Sequence, residues 1–473
     1  MIFIIINEIK NLNKNKMKKI ILIVFCSLSF FCFGAKININ ILDTATVESR
    51  AIDNILKTIE APKVSKNVIL ITNLGAKGDS KTDNKPFFDK AMKQSKAKKG
   101  AKIVVPAGVY LINGPIHFVS NTTLELQKDA KIIFGTNEKD YLPAVLTSWE
   151  GTLIYNYSPL IYAYQVENVA IIGEGTIDGN GKDGFSQWYD KQKPAQAKTR
   201  DMNLKMTPVK ERIFGKDSFL RPQLVQFFES KNILIEGVTI TNAPFWCVHF
   251  LKSENITARK VKFDSQNKNN DGFDIEYSKN VLIDDVDFDN ADDNVTIKAG
   301  RDREGRETNM PSENIIVRNS RFKGLHAIVI GSEMSSGVRN VFVENSTFAG
   351  YCKRALYLKS NADRGGYIKD IYINNVDFGE VEDAIYITSF YKGEGEGHET
   401  DIHNLFVNNF KVKKATNAGI VIQGYPTKKV NNIVFSNVKI NEAQNAISMT
   451  NTENIIFNNV TIGKEEQIPS SKH

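Results

Sequence analysis

The chain has 473 residues, with 61 Lys and Arg against 54 Asp and Glu, a formal charge of +7, four Cys and 41% hydrophobic residues. That length exceeds what one compact core usually organises, so several layers, two domains or a repeat array are expected. An aromatic content of 10% excludes a disordered chain, and so few Cys exclude a disulfide scaffold. The mild charge, with no basic block in the body of the chain, predicts no nucleic-acid partner.

Residues 1–34 read as an upstream extension and a signal peptide. Lys18-Lys19 precede a mostly apolar run from Ile20 to Phe33, which exits through Gly34-Ala35. The run is shorter than the roughly 20 residues a membrane span needs. Met17 is the more natural start than Met1. The reading predicts an exported protein, periplasmic or secreted, with no membrane association after cleavage. Residues 1–34 hold five Lys and one Glu, so 56 basic and 53 acidic residues remain beyond them. Cys26 and Cys32 lie in this run, which leaves Cys247 and Cys352. Buried free thiols are the simpler expectation for that pair, whose bonding the sequence leaves open.

Residues 35–66 form an N-terminal lead-in. Residues 83–98 then predict an amphipathic helix with Phe87, Phe88, Ala91 and Met92 on one face and Asp83 at the N-cap. It is expected to cap the open end of a repeat array.

From residue 167 one phrase keeps returning: an Asn followed by alternating branched aliphatics. The Asn falls at 168, 232, 255, 280, 314, 340, 404, 432 and 454, with Asp at 370. The shortest steps are in the low twenties, too short for a helix beside two or three strands. Gly and Asn punctuate between strands, as tight corners require. No Leu-x-x-Leu-x-Leu frame appears, which excludes a leucine-rich repeat. The expected fold is all-β, a parallel β-helix over residues 67–463 with a short N-terminal helical cap. Residues 181–222 interrupt the repeat as a long loop, either functional or a solvated decoration. Residues 464–473 are a polar tail.

A solenoid stacks equivalent positions coil upon coil, about 4.8 Å apart. Aligning the coils on Ile275, Ile297, Ile330 and Leu358 puts Asp271, Asp293, His326 and Arg354 in one column. Glu276, Lys298, Gly331 and Lys359 form another, and Asp292 precedes Asp293. Lys298, Tyr357 and Lys359 are expected to face outward beside the acids. Carboxylates one coil apart repel, so at least one should hold its proton, as acid-assisted cleavage of a glycosidic bond requires. A single Asp at a coil corner is more simply a turn cap, but the whole column argues for a site. No His pair has metal-ligand spacing and the carboxylates have basic neighbours, so neither metal nor cofactor is expected.

At these residues the chain resembles the polygalacturonase family of glycoside hydrolases, family 28, over nearly everything after the signal peptide. Asn269-Asn270-Asp271-Gly272 is similar to its Asn-Thr-Asp-Gly motif, and Asp292-Asp293 to its paired aspartates. Leu325-His326-Ala327 stands for Gly-His-Gly and Tyr357-Leu358-Lys359 for Arg-Ile-Lys, with the Arg lost and Arg354 upstream as its candidate substitute. The resemblance implies a right-handed parallel β-helix acting on pectin by inverting single displacement. Asp292 would be the general acid, Asp271 and Asp293 would hold and activate water, and His326 would tune the acid. Lys359 would grip a uronate, with Asn270, Lys298, Arg301, Arg354 and Tyr357 as further binding residues.

Ser148 to Leu160 and Lys298 to Arg306 resemble bacterial exo-acting members, so a monomeric exo-galacturonidase acting on an acidic poly- or oligosaccharide is expected. The alternatives are a rhamnogalacturonan or other uronate-glycan hydrolase, a calcium-dependent lyase, and a β-helix carbohydrate-binding protein with a weak or dead site.

Overall fold

The computed structural model describes residues 41–463 except 349, 394 and 396. The expected signal peptide and polar tail lie outside the described residues. The chain divides into two units, residues 1–51 and 52–473, and the second holds the repeat and the acidic column. Among the described residues no helix is long and apolar enough to cross a membrane.

The second unit is a right-handed parallel β-helix: the Asn-aliphatic phrase predicts the coils and the family resemblance their hand. Each coil contributes strands to stacked parallel sheets. One stack runs Lys231–Glu236, Glu254–Arg259, Lys279–Asp284 and Ser312–Arg318 in the register Ile233, Ile256, Val281, Ile315. Every second residue points into the bore, and these aliphatics are fully buried. Phe227, Phe250 and Phe273 stack within the bore in the same way.

The recurring Asn explains the period. Asn232, Asn255, Asn280 and Asn314 all hold left-handed backbone, with φ between 55° and 58°, a conformation Asn tolerates better than most residues. Each donates its side-chain amide to the Asn one coil before, at 2.9, 3.2, 3.2 and 3.0 Å. The same residue type thus turns the corner and satisfies the polar groups the corner exposes.

An α-helix over Lys85–Ala97 (α1) covers the first coil, burying Phe88, Ala91 and Met92. Its N-cap is Asn84 rather than Asp83. The Asp83 carboxylate still accepts from Lys85 N, but it also accepts from Asn113 N, tying the helix start to a neighbouring coil.

The long loop is folded. It contains an α-helix over Lys193–Leu204 (α2), and it packs with an antiparallel hairpin, Val145–Trp149 and Thr152–Asn156. Trp149, Ile154, Phe214, Leu220, Phe245 and Trp246 make a second small apolar core outside the bore. A helix over Asp302–Thr308 (α3) leaves the coil that carries Asp292 and Asp293. Cys247 and Cys352 are both free and buried.

Candidate active site

The acidic column forms in the sheet whose strands include Phe273–Glu276, Asn290–Lys298, Gly324–Gly331 and Tyr351–Lys359. Asp293 is paired in register with His326, and His326 with Arg354. Asp271 lies one coil earlier, where Gly272 N donates to Asp293 O at 2.9 Å. The left-handed corner at Asn269 delivers Asp271 to the sheet edge.

Asp293 is the anchored negative charge. His326 Nδ1 lies 2.5 Å from its Oδ1, and Lys359 Nζ lies 2.9 Å from its Oδ2. Burial alone would raise its affinity for a proton, but Lys359 and His326 together hold it below the usual carboxylate range. Burial lowers the His326 pKa despite Asp293. An ionised Asp293 accepts from Nδ1–H, so Nδ1 carries the proton of the neutral ring. Nε2 is buried and has no hydrogen-bond partner.

Asp292 is pushed up to about 6, by burial first and by Asp293 second. Its Oδ1 accepts from Asp293 N at 3.0 Å, and Asn269 Nδ2 lies 3.4 Å from Oδ2. Asn269 is itself held: Arg221, buried in the long loop, donates to its Oδ1 at 2.7 Å and to Lys268 O at 2.8 Å. Asp271 is raised well above its ordinary value by burial and then by Asp274, Asp292 and Asp293. Thr296 Oγ1 stands 3.4 Å from both Asp271 Oδ2 and Asp293 Oδ2, so the two carboxylates flank one point. A proton-carrying carboxyl beside an ionised carboxylate is an acid–base pair.

Beside the acids lies a cavity of about 120 Å³ with a cationic end. Lys298 Nζ is 3.2 Å from Glu333 and 3.7 Å from Asp274, above the face of Trp246 at 4.9 Å. Arg301 meets Glu333 at 3.1 Å and Arg364 approaches it at 3.9 Å. Burial disfavours the Glu333 charge, but these three cations hold its carboxyl well below the usual range. The hairpin tip packs against this end: Arg301 N donates to Gly151 O at 3.1 Å. A Cβ on Gly151 would lie 2.8 Å from that of Arg301, and the residue holds φ +82°, so glycine is required there. Glu150 of the tip accepts from Gln196 and pairs with Arg200 of α2 at 3.3 Å.

Lys298, Arg301 and Lys359 line the cavity with Asp271, Asp292 and Asp293. Asn270 differs from the expectation. It is fully buried and turned into the coil, donating to Ala243 O and Phe245 O and accepting from Ser265 Oγ, and Asn269 lines the cavity instead. Arg354 and Tyr357 also stand outside the lining. The Arg354 guanidinium lies over Tyr357 and Tyr386, at 4.5 and 4.2 Å, and pairs with Asp383 at 3.2 Å. Tyr357 packs its ring on His326. Glu150, Arg200, Trp246 and Arg364 line the cavity but belong to no repeating pattern in the sequence. Asn269 sits beside Asp271 in the motif, and alternation of buried and corner positions is the signal that separates it from Asn270.

Asp292, Asp293 and His326 offer ligand atoms within 4.8 Å of one another, a spacing that suits a cation. The Lys359 ammonium on Asp293 already supplies a positive charge at that place, so the donor set fits an internal ion pair better than a metal.

The sequence profile of Glycosyl hydrolases family 28 matches residues 96–460. An exo-poly-alpha-D-galacturonosidase of Dickeya chrysanthemi is 28% identical over 446 residues, covering 85% of this chain and 71% of that protein. An endo-polygalacturonase of Pectobacterium carotovorum subsp. carotovorum is 26% identical, covering 81% of this chain and 89% of its own. A hyperthermoactive exopolygalacturonase from Thermotoga maritima superposes with a TM-score of 0.85 at 36% identity, covering 88% of this chain and 96% of that one.

Proposed function

Because the chain belongs to Glycosyl hydrolases family 28 and is a glycosidase of the polygalacturonase type, we propose that it removes single galacturonate residues from the end of pectin-derived chains. The observation that carries the exo reading is the blind cationic end of the cavity, closed by Glu150 and Gly151 of the hairpin against Arg301 and Glu333. At about 120 Å³ the cavity is well under the roughly 300–1,000 Å³ of a pocket that takes a drug-sized ligand, as suits one terminal sugar. The likeness to the exopolygalacturonase of Thermotoga maritima, at 36% identity against 26% for the endo-polygalacturonase, supports the same mode.

The chemistry follows from how the four ionisable groups divide the protons. Asp292, with its affinity raised, enters protonated and gives its proton to the leaving glycosidic oxygen. Asp293, held ionised by Lys359 and His326, accepts a hydrogen bond from the attacking water and orients it. Asp271 gives its own proton to solvent as substrate binds, and the ionised carboxylate, its basicity raised by burial, then takes the water's proton. Water then adds as the glycosidic bond breaks, giving inversion at the anomeric carbon. Lys298 and Arg301 supply the positive field that a uronate carboxylate needs, and Lys359 keeps further N–H donors beyond the one facing Asp293. The lead from Lys18 through Ala35 supports export to the periplasm or beyond, where pectin fragments are met.

Incubation with polygalacturonate and with defined oligogalacturonides, followed by product sizing, tests the mode. From polygalacturonate, monomer is expected as the only small product at early times, and from a defined oligogalacturonide monomer together with the chain one residue shorter. A series of di- and larger oligosaccharides released early from polygalacturonate refutes removal of single terminal residues. Proton NMR of the first anomer released tests inversion, and unsaturated, ultraviolet-absorbing products would replace hydrolysis with elimination.

A further inference from the structure

The wall at the blind end is not part of the β-helix. It is a hairpin contributed by an early coil, and one buried ion pair joins it to the coil that carries the acids. Arg212, from the long loop, and Glu304, from α3, form that pair with side chains only 2% and 7% exposed. Both also grip the same hairpin residue. Leu153 N donates to Glu304 Oε1 at 3.0 Å, and Arg212 Nη1 donates to Leu153 O at 3.1 Å. Arg212 Nε donates to Thr207 O at 2.7 Å, and Tyr155 N to Arg212 O at 2.9 Å. Asn203 of α2 completes the junction, donating to Thr152 Oγ1 at 3.0 Å and accepting from Glu304 N at 3.3 Å.

We propose that the Arg212–Glu304 pair is a latch that determines specificity: it fixes the hairpin across the non-catalytic end of the cleft and so restricts the enzyme to terminal residues. The latch rests on the exo reading of the same site. Neither residue lines the cavity, and both act through the hairpin, so they are positioning residues.

The hairpin is also held by the second apolar core, through Trp149 and Ile154, and by single hydrogen bonds such as Trp149 Nε1 to Arg221 O at 3.2 Å and Gln223 Nε2 to Ser148 O at 2.8 Å. Apolar burial is non-directional, and what the ion pair adds is a charge-assisted tie from α3 to the backbone of the second hairpin strand. A buried ion pair whose partners also take a backbone N–H and C=O of one residue has a single geometry that satisfies all of them. The tip has little room to move inward, because a Cβ on Gly151 would lie 2.8 Å from that of Arg301 and 3.1 Å from that of Glu333. Small displacement of Leu153 therefore moves Glu150 and Gly151 away from the end of the cavity. Longer chains can then thread past the acids, and cleavage becomes internal.

Arg212→Lys keeps the charge opposite Glu304 but loses the planar fork that reaches Leu153 and Thr207. The double variant R212M/E304M removes both charges together, a replacement that buried pairs often tolerate without loss of stability. Each is compared with wild type in melting temperature, in product sizes from polygalacturonate, and in viscosity loss per reducing end released. For a variant that melts with wild type, di- and larger oligosaccharides should appear early from polygalacturonate, where wild type yields none, with viscosity falling faster per bond cut. If either variant melts like wild type and still releases monomer alone, the latch is overturned. If wild type itself releases oligomers from the start, the exo reading fails, and the latch with it.

Discussion

His326 Nδ1 approaches Asp293 Oδ1 to 2.5 Å, while Lys359 holds the other oxygen of the same carboxylate at 2.9 Å. One acid of the column is thereby clamped in its ionised form from both sides. Its immediate neighbour Asp292 bears the electrostatic consequence and keeps its proton up to about pH 6. In the proposed mechanism His326 would therefore tune the acid indirectly, through Asp293.

His326→Ala removes one clamp and leaves Lys359. Asp293 should gain proton affinity, its repulsion on Asp292 should weaken, and kcat should fall about 10²-fold with KM little changed. The alkaline limb of the pH–rate profile should move to lower pH. A fall in kcat without that movement would make the histidine a packing residue only.

Asp292→Asn removes the transferable proton while preserving shape. The rate of reducing-end release should fall by about 10²–10⁴-fold, with far-ultraviolet circular dichroism unchanged. Retention of more than a few per cent of activity assigns the acid elsewhere.

The pH dependence has a definite sign. As the proposed general acid Asp292 would act only when protonated, so kcat/KM should decline as pH rises through about 6. Its folded pKa lies above the unfolded value, so the stability it contributes is complete below the ordinary carboxylate range. That contribution is lost as pH rises through about 6. Asp293 has the opposite sign: its folded pKa is depressed, so its contribution is present above the ordinary range and lost in acid. Melting temperature measured from pH 3 to 8 in wild type and in Asp292→Asn should show a flatter neutral side in the variant.

Asn269 and Asn270 should separate cleanly. Asn269→Ala frees Asp292 Oδ2 and takes away one acceptor of Arg221 at the site, so activity should drop with a modest change in melting. Asn270→Ala abolishes four hydrogen bonds and should cost about 2–4 kcal/mol by urea denaturation. The properly folded fraction should keep normal KM.

The Asn ladder offers a test of the fold itself. Asn280 holds φ 57° and bonds Asn255 and Asn314 above and below. Asn280→Ala loses both bonds and strains the corner, costing about 2–3 kcal/mol. Asn280→Gly loses the bonds but relieves the strain, so it should cost about 1 kcal/mol less. Equal losses would show that the left-handed corner stores no strain.

The repeat is legible because its causes are local. An Asn that turns a left-handed corner and aliphatics that alternate into a bore recur at every coil, so the period states the fold. Since stacking converts equal offsets into neighbours, the column Asp271, Asp293, His326 follows from counting along the chain. Side-chain direction at coil ends is not legible. Asn270 turns inward, and Arg354 folds over two tyrosines rather than replacing the motif arginine, because both choices depend on what the next coil presents. The net charge carries no signal either, since the cations that matter are a few that meet around Glu333.

From the amino-acid sequence alone come the solenoid, its helical cap and the acids in one register, because each is a repeating or short-range relationship. The packing of the hairpin against the cationic end of the cavity came only with the tertiary structure. Leu153 and Glu304 are 151 positions apart, and Ser148 and Glu276 are 128 apart, on segments that share no period. Contacts between non-repeating loops leave no pattern along the chain, so only the folded coil could bring the hairpin to the acids.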